Sequence, residues 1–156
     1  MVLISVIIIL SLDQLTKFII TKNLSLNQSI PIIKGIFHLT LVHNRGAAFG
    51  ILRNQIPLFI FTSLFATVLI YFNLKDTRFK KSLIYKISLS LILAGALGNL
   101  IDRLFLGYVV DFLDFRIWPV FNVADSAITV GAILLGYSIL KKDRINPNKP
   151  ISTKSQ

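Results

Sequence analysis

Four long apolar segments divide this chain, and they constrain its fold more than any other feature. They cover about residues 2–20, 57–74, 83–101 and 121–140. A helix of roughly 20 apolar residues is long enough to cross the hydrocarbon core of a bilayer. The chain has 156 residues, so four such helices and their connections use almost all of it. We therefore expect a single all-α membrane domain over residues 1–143, with four transmembrane helices.

The first segment contains polar residues and could also be a cleaved signal sequence. Asp13, Gln14, Thr16 and Lys17 interrupt its apolar run. It has neither the basic N-terminal region nor the small-residue cleavage site that signal sequences carry. Asp13 and Lys17 are four positions apart, so they share a helix face on which they can pair towards other helices. A retained transmembrane helix is therefore favoured.

Basic residues lie mainly outside the apolar segments. The chain has 17 Lys and Arg against 7 Asp and Glu, a formal charge of +10. Many of them fill the loop at 75–81 and the C-terminal tail, which is typical of cytoplasmic flanks facing anionic lipid, so we do not expect nucleic-acid binding. Four crossings then place both termini in the cytoplasm and the connections 21–56 and 102–120 outside. Residues 144–156 are polar and are expected to form a disordered cytoplasmic tail.

The first outer connection contains a short alternating pattern. Phe37, Leu39 and Leu41 alternate with His38, Thr40 and Val42, which predicts a strand with one packed face. The tripeptide 44–46, Asn-Arg-Gly, looks like a turn that leads into residues 47–49. We expect a small β element on the outer surface of the membrane domain.

Four aspartates are set among or beside the apolar segments, and all four are expected near the outer face: Asp102, Asp111, Asp114 and Asp125. A charged carboxylate near hydrocarbon is unfavourable, so its presence favours a functional explanation. Asp111 lies within Val-Val-Asp-Phe and Asp125 within Phe-Asn-Val-Ala-Asp. We select these two as a candidate catalytic pair.

The chemistry available to such a pair depends on its proton count. Two carboxylates at close range in a site of low dielectric cannot both ionise easily, so one stays protonated. One acid and one base can then act on a single water molecule, which suits hydrolysis of a peptide bond.

Other polar residues fall near these aspartates. Gly98, Asn99, Asp102 and Arg103 crowd the outer end of the third apolar segment, where they could also form only a packed helix end with a capping salt bridge. Asn122 and Asp125 share a helix face, but Asp125 alone could be an acid that favours the helix dipole.

Several other classes of function are disfavoured. The chain has no cysteine, and it contains no HExxH, GxSxG, phosphate-loop or dinucleotide motif. We expect neither a metal nor an organic cofactor. A proton or ion conductor would carry polar residues at several depths, whereas the second segment is almost wholly apolar. A structural adaptor without chemistry would leave the two apolar-flanked acids without a purpose.

Five motif blocks resemble, in order, those of the lipoprotein signal peptidases, also called signal peptidase II. The blocks are DQLTK at 13–17, HNRGAAFG at 43–50, AGALGNLIDR at 94–103, GYVVDF at 107–112 and FNVADSAITVG at 121–131. Together they span nearly the whole chain, and their joint occurrence is highly specific.

The resemblance implies an aspartyl endopeptidase of the bacterial inner membrane. It implies removal of the signal peptide from diacylglyceryl-modified prolipoproteins, by a cut before the lipidated cysteine at the outer face of the membrane. In that family the catalytic residues correspond to Asp111 and Asp125. The family implies supporting contacts from Asn44, Asn99, Arg103 and Asn122, and a role for Asp13 and Asp102 in holding the site together.

The family fold is a four-helix membrane domain with an outer β-cradle and a mobile outer loop or helix. The implied partners are the lipidated prolipoprotein and membrane lipid, and nothing in the sequence demands more than a monomer. The connection 112–124 is shorter here than in several relatives, so we expect a reduced cover over the site.

Overall fold

Four helices and three strands make up the described part of the molecule. The structure is a computed structural model that describes residues 2–46, 55–75 and 82–145. The helices are α1 Val2–Asn23, α2 Ile56–Lys75, α3 Leu83–Phe105 and α4 Val123–Ile145, and the strands are β1 Ser29–Ile33, β2 Phe37–Asn44 and β3 Val109–Asp114.

All four helices are long and apolar enough to cross a membrane, with mean hydropathies of 2.0, 1.9, 1.6 and 1.7 in chain order. Each predicted segment is therefore confirmed as a helix. Every helix continues past its predicted C-terminal end, and α4 begins at Val123, slightly later than predicted. The chain is a multi-pass membrane protein.

The predicted tail lies largely outside the described residues, but its first part belongs to α4, which continues to Ile145.

Helix α3 is the centre of the bundle, because it packs against α1, α2 and α4. Half of the residues in the most apolar part of α3 are buried, whereas α2 has no buried residue. Small residues allow α3 and α4 to approach closely. A Cβ atom on Gly131 would lie 2.7 Å from the carbonyl oxygen of Ser88, and one on Gly95 would overlap the carbonyl oxygen of Ala124. Glycine at these positions therefore permits backbone contact between the two helices.

The strands form one antiparallel sheet in the order β1-β2-β3. The strand predicted over residues 37–42 is confirmed as β2, which continues to Asn44, although burial does not alternate along it and Leu41 is its one buried residue. The turn predicted at 44–46 is supported by a 2.9 Å hydrogen bond from the Gly46 amide to Oδ1 of Asn44, and residues 47–49 lie outside the described residues. Residue alternation did not predict β1 or β3. A run of valine, phenylalanine and leucine after Gly107 was the available signal for β3.

The sheet packs on the end of α1. Ile20 of α1 and Leu24 just beyond it form an apolar cluster with Leu41 of β2 and with Val110 and Phe112 of β3. Because successive residues of a strand point to opposite faces, the carboxylate between Val110 and Phe112 lies on the face of β3 away from this cluster. Burial of these two side chains thereby turns that carboxylate towards Asn122 at the start of α4.

Candidate active site

Asp111 is buried at the centre of strand β3, with only 1% of its surface exposed. Its Cα partner on β2 is Val42, and Asn44 lies two residues further along the same face of β2. Nδ2 of Asn44 donates to Oδ2 of Asp111 at 2.9 Å, and Nδ2 of Asn122 donates to Oδ1 at 2.7 Å. Both carboxylate oxygens are therefore held by carboxamides.

Asp125 lies in the first turn of α4 and forms a capping pair with Asn122. The backbone amide of Asp125 donates to Oδ1 of Asn122 at 2.9 Å, and the backbone amide of Asn122 donates to Oδ2 of Asp125 at 3.3 Å. This reciprocal arrangement is a capping box, which satisfies amides that the start of a helix leaves unpaired. Asp125 therefore does help to begin the helix, as one of the two interpretations from the sequence proposed. This role uses only its Oδ2 atom.

A third carboxamide completes the link between the two acids. Nδ2 of Asn99 donates to Oδ1 of Asp125 at 2.7 Å, and Oδ1 of Asn99 accepts from Nδ2 of Asn122 at 3.1 Å. Asn122 therefore contacts Asp111, Asp125 and Asn99 at once. The two candidate acids belong to one hydrogen-bonded network.

The return of the chain after β3 brings the two acids together. The carbonyl oxygen of Phe121 accepts from the amides of Phe112 and Leu113, and the amide of Phe121 donates to the carbonyl oxygen of Leu113 at 3.1 Å. These bonds place the residue before Asn122 alongside β3. The first turn of α4 consequently begins next to Asp111.

Two further aspartates bind the backbone beside the candidate pair. Oδ2 of Asp102 accepts from the amide of Val110 at 3.0 Å, and Oδ1 of Asp13 accepts from the amide of Ala124 at 2.9 Å. Val110 and Ala124 are the residues immediately before the two candidate acids. Asp102 and Asp13 therefore hold the backbone positions from which these acids project.

Lys17 connects these two backbone-binding aspartates. Its Nζ lies 2.8 Å from Oδ2 of Asp13 and 2.8 Å from Oδ2 of Asp102. The expected pairing of Asp13 with Lys17 is confirmed, and the cation that pairs with Asp102 comes from α1 and not from the end of α3. Gln14 also joins this group, because its Nε2 donates to Oδ1 of Asp102 at 3.1 Å. Sequence spacing could not reveal either contact to Asp102, since both join helices far apart in the chain.

Burial and the negative charge of Asp125 raise the pKa of Asp111 to about 7. Hydrogen bonds from Asn44 and Asn122 and the positive charge of Lys17 act in the opposite direction, because they favour the ionised form. Asp111 consequently keeps its proton in neutral solution much more readily than an ordinary aspartate does.

The two carboxylates line one cavity of about 310 Å³. Asn44, Asn99 and Arg103 also line it, together with apolar side chains that include those of Phe59, Trp118 and Ile128. The guanidinium of Arg103 lies over the ring of Phe59, 4.8 Å from its centroid, and interacts electrostatically with both acids. The cavity is therefore lined by both polar and apolar side chains.

Asp114 belongs to the four-aspartate set but lies apart from the cavity lining. It ends β3, where its Oδ2 accepts from Oγ1 of Thr40 at 2.7 Å and lies 2.9 Å from a guanidinium nitrogen of Arg116. Burial opposes these interactions, but they outweigh it and lower the pKa of Asp114. Asp114 thus supports the chain turn after β3.

Metal binding has no support among the described side chains. Within residues 2–46, 55–75 and 82–145, no group of three or more His, Asp or Glu side chains could hold a metal ion. The aspartates near the cavity instead accept from amides, and two of them also pair with Lys17.

Comparison with known proteins assigns the family. The family model described as "Signal peptidase (SPase) II" matches residues 5–141. The chain belongs to the signal peptidase II family. It is 50% identical over 147 residues to the lipoprotein signal peptidase of Caldanaerobacter subterraneus subsp. tengcongensis, an alignment that covers 93% of this chain and 99% of the relative. It is 48% identical over 147 residues to that of Halothermothrix orenii, with the same two coverages.

Solved structures agree with this assignment and with the fold. A bacterial membrane enzyme solved at 2.3 Å is 32% identical, covers 99% of this chain and 94% of its own, and superposes with a TM-score of 0.83. A second bacterial membrane enzyme, solved at 1.9 Å, is 36% identical. The superposition covers 90% of this chain and 92% of that enzyme, with a TM-score of 0.79. Membership of the signal peptidase II family makes the chain a peptidase of the membrane.

Proposed function

We propose that this signal peptidase II cleaves diacylglyceryl-modified prolipoproteins by an aspartyl mechanism, with Asp111 and Asp125 as the catalytic pair. One observation carries the proposal: Asp111 and Asp125 come from separate elements, line one cavity and are both hydrogen-bonded to Asn122. The names of the relatives support a lipoprotein precursor as the substrate.

The two acids have different roles in this mechanism. We assign Asp111 as the acid, because its pKa is raised to about 7, and Asp125 as the base. Asp125 removes a proton from water, and the oxygen of that water attacks the scissile carbonyl carbon. Asp111 donates its proton to the carbonyl oxygen, which gives a neutral tetrahedral diol.

Collapse of the diol restores the starting proton count. Asp125 transfers its new proton to the amide nitrogen as the carbon–nitrogen bond breaks. Asp111 recovers a proton from one diol hydroxyl as the carboxyl carbonyl forms. The chain, the water molecule and the substrate supply every group in these proton transfers.

The neighbouring residues position the reacting groups. Asn44, Asn99 and Asn122 hold the carboxylates through the hydrogen bonds described above, and Arg103 is placed in the cavity to contact the substrate backbone or lipid region. Asp13 and Asp102 maintain the backbone before each catalytic residue. Such positioning can contribute several orders of magnitude to the rate of a bimolecular reaction.

The membrane arrangement proposed for the enzyme follows the distribution of charge. Both termini and the loop at 75–81 lie in the cytoplasm, and the sheet and the cavity lie at the outer face of the bacterial inner membrane. The signal helix of the substrate packs among the transmembrane helices while its acyl chains remain in lipid. This places the bond before the lipidated cysteine beside the catalytic pair. A monomer is sufficient for this reaction.

The test is cleavage of a purified diacylglyceryl-modified prolipoprotein by the purified enzyme, followed by mass analysis of both products. We expect a single cut before the modified cysteine. Asp111→Asn and Asp125→Asn should each reduce the rate by about 10³-fold or more while remaining folded. Asp114→Asn is the matched control, because Asp114 is a β3 aspartate outside the cavity lining, and it should retain activity. Retained cleavage in either dyad variant would remove that residue from the mechanism.

Lipid dependence is tested with the same precursor lacking the diacylglyceryl group. We expect much slower cleavage, because the acyl chains keep the scissile bond at the membrane boundary. Equal rates in detergent for the two substrates would contradict this part of the proposal.

A further inference from the structure

Lys17 is a buried ammonium group to which the mechanism above gives no role. Only 4% of its surface is exposed. Its Nζ makes three contacts, to Asp13 Oδ2 at 2.8 Å, to Asp102 Oδ2 at 2.8 Å and to Asn99 Oδ1 at 3.1 Å. An ammonium has three hydrogens to donate, so its hydrogen-bonding capacity is fully used.

The contact with Lys17, together with a 3.1 Å hydrogen bond that the same oxygen accepts from Nδ2 of Asn122, determines which way the Asn99 carboxamide faces. A lysine ammonium can only donate, so it must meet the oxygen of the carboxamide and not its NH₂ group. Oδ1 of Asn99 therefore faces Lys17, and Nδ2 is left to donate to Oδ1 of Asp125 at 2.7 Å. If the carboxamide turned over, NH₂ would oppose the ammonium and a carbonyl oxygen would oppose the carboxylate.

The other two contacts connect Lys17 with the backbone on both sides of the site. Asp102 binds the amide before Asp111, and Asp13 binds the amide before Asp125. Without the ammonium, Asp102 and Asp13 would be buried carboxylates that have lost the positive charge between them. Lys17 therefore supports the positions of both catalytic residues.

Lys17 also contributes to the charge around the catalytic pair. Among the described residues, the charged groups that face this region are Asp13 on its own helix, Asp102 and Arg103 on α3, Asp111 on β3 and Asp125 on α4. Burial and the charge of Asp125 raise the pKa of Asp111, and the positive charge of Lys17 partly opposes them. Removal of Lys17 should make Asp111 release its proton at higher pH.

We propose that Lys17 is a positioning residue of the peptidase, which acts with Asn122 to direct the Asn99 carboxamide at Asp125 and supplies a positive charge near the catalytic pair. This inference rests on the proposed function. Lys17 touches neither the water nor the substrate in it, and acts through Asn99, Asp13 and Asp102.

The test compares Lys17→Met, Lys17→Gln and Lys22→Met with the unaltered enzyme. Methionine removes both charge and donors, whereas the glutamine side chain still has an NH₂ group that can donate to Oδ1 of Asn99. Lys22→Met is the matched control, because it removes one exposed positive charge from the same helix. Thermal unfolding is measured for each variant, together with kcat and KM for the lipidated precursor as a function of pH.

We expect Lys17→Met to lower kcat by about 10²-fold with little change in KM, since misplacement of a reacting group affects the chemical step most. The alkaline limb of its pH profile should move upward by about one pH unit. Lys17→Gln should recover about tenfold of the lost kcat because the carboxamide is again directed, but its alkaline limb should remain shifted. Lys22→Met should match the unaltered enzyme in kcat and in the position of the alkaline limb.

A folded Lys17→Met enzyme with unchanged kcat and pH profile would overturn the inference. If that variant does not fold, an unchanged profile in Lys17→Gln would do so. If neither folds, the double variant Lys17→Met/Asp102→Asn, which also removes one of the two carboxylates paired with Lys17, is assayed instead, and an unchanged kcat there would reject the positioning role.

Asp111→Asn and Asp125→Asn are assayed in parallel, so that the two proposals can fail separately. Cleavage by those variants would reject the proposed function. Their inactivity beside normal Lys17 variants would reject only the positioning role of Lys17.

Discussion

Asn122 and Asp125 cap each other at the start of α4, each accepting a hydrogen bond from the backbone amide of the other. Because Oδ1 of Asn122 is occupied by the Asp125 amide, its Nδ2 is directed at Asp111, to which it donates at 2.7 Å. The capping box that starts α4 therefore also aligns the two acids of the candidate site. The structural and catalytic interpretations of Asp125 are compatible, since its two oxygens face different partners.

Replacement of Asn122 should separate the helix cap from the alignment of Asp111. Asn122→Ser keeps a side-chain oxygen for the Asp125 amide but has no NH₂ group for Asp111, so we expect near-normal stability and a rate lowered by about 10²-fold. Asn122→Ala should lose a similar factor in rate and about 1 kcal/mol of stability. The stability of both variants is measured by thermal unfolding, and their rates are measured by precursor cleavage. Full activity in the serine variant would contradict the alignment role.

The pH dependence of cleavage should report the proton on Asp111. Its pKa is raised to about 7, so the proton is present below that pH and is lost as the pH rises through it. Because the mechanism requires protonated Asp111, kcat/KM should fall on the alkaline side with an apparent pKa of about 7. The measurement is the initial rate for the lipidated precursor in buffers of constant ionic strength. A rate that stays constant through this pH would show that Asp111 does not act as the acid.

Asn44→Ala should shift that alkaline limb in a defined direction. The hydrogen bond from Asn44 favours ionised Asp111, so its loss should raise the pKa of Asp111 further and move the limb upward by about one pH unit. Asn23→Ala is the control, because Asn23 is an exposed asparagine whose side chain donates within α1, to the carbonyl oxygen of Ile19. A limb that moved downward in Asn44→Ala would contradict the described contact.

Gly95→Ala should impair the site from outside the cavity. The added Cβ would overlap the carbonyl oxygen of Ala124 and approach Cγ1 of Ile128 at 2.7 Å, so α4 would have to move where Asp125 projects from it. We expect a loss of about 1–3 kcal/mol in stability and a clear loss of activity. Gly136→Ala is the matched control within α4, because its Cβ would meet nothing within 4 Å. Thermal unfolding and cleavage are measured for both, and equal behaviour of the two would contradict close packing at Gly95.

The orientation of the membrane domain can be tested by cysteine labelling, since the chain has no cysteine of its own. Ile117 is 94% exposed in the connection between β3 and α4. In spheroplasts, Ile117→Cys should react with a membrane-impermeant maleimide, and Ser152→Cys in the C-terminal tail should react only after permeabilisation. The reverse pattern would invert the proposed topology.

The sequence by itself determined the four transmembrane helices, because segments of this length and hydropathy are stable mainly as helices that cross a membrane. The local pattern at 37–42 likewise determined a strand, and the spacing of Asn122 and Asp125 placed both at one helix start. The motif blocks identified the family and singled out Asp111 and Asp125.

Only the tertiary structure decided how these pieces meet. Strand β3 was not predicted, because it is buried on both faces and so lacks a strict alternation of polar and apolar residues. Asp102 pairs with Lys17 on a helix far away in the chain, a contact that no local spacing encodes. Asp114 lies apart from the cavity, where its carboxylate binds Thr40 and Arg116. Hydropathy and spacing act within one element, whereas the site depends on side chains that converge from α1, α3, α4 and the sheet.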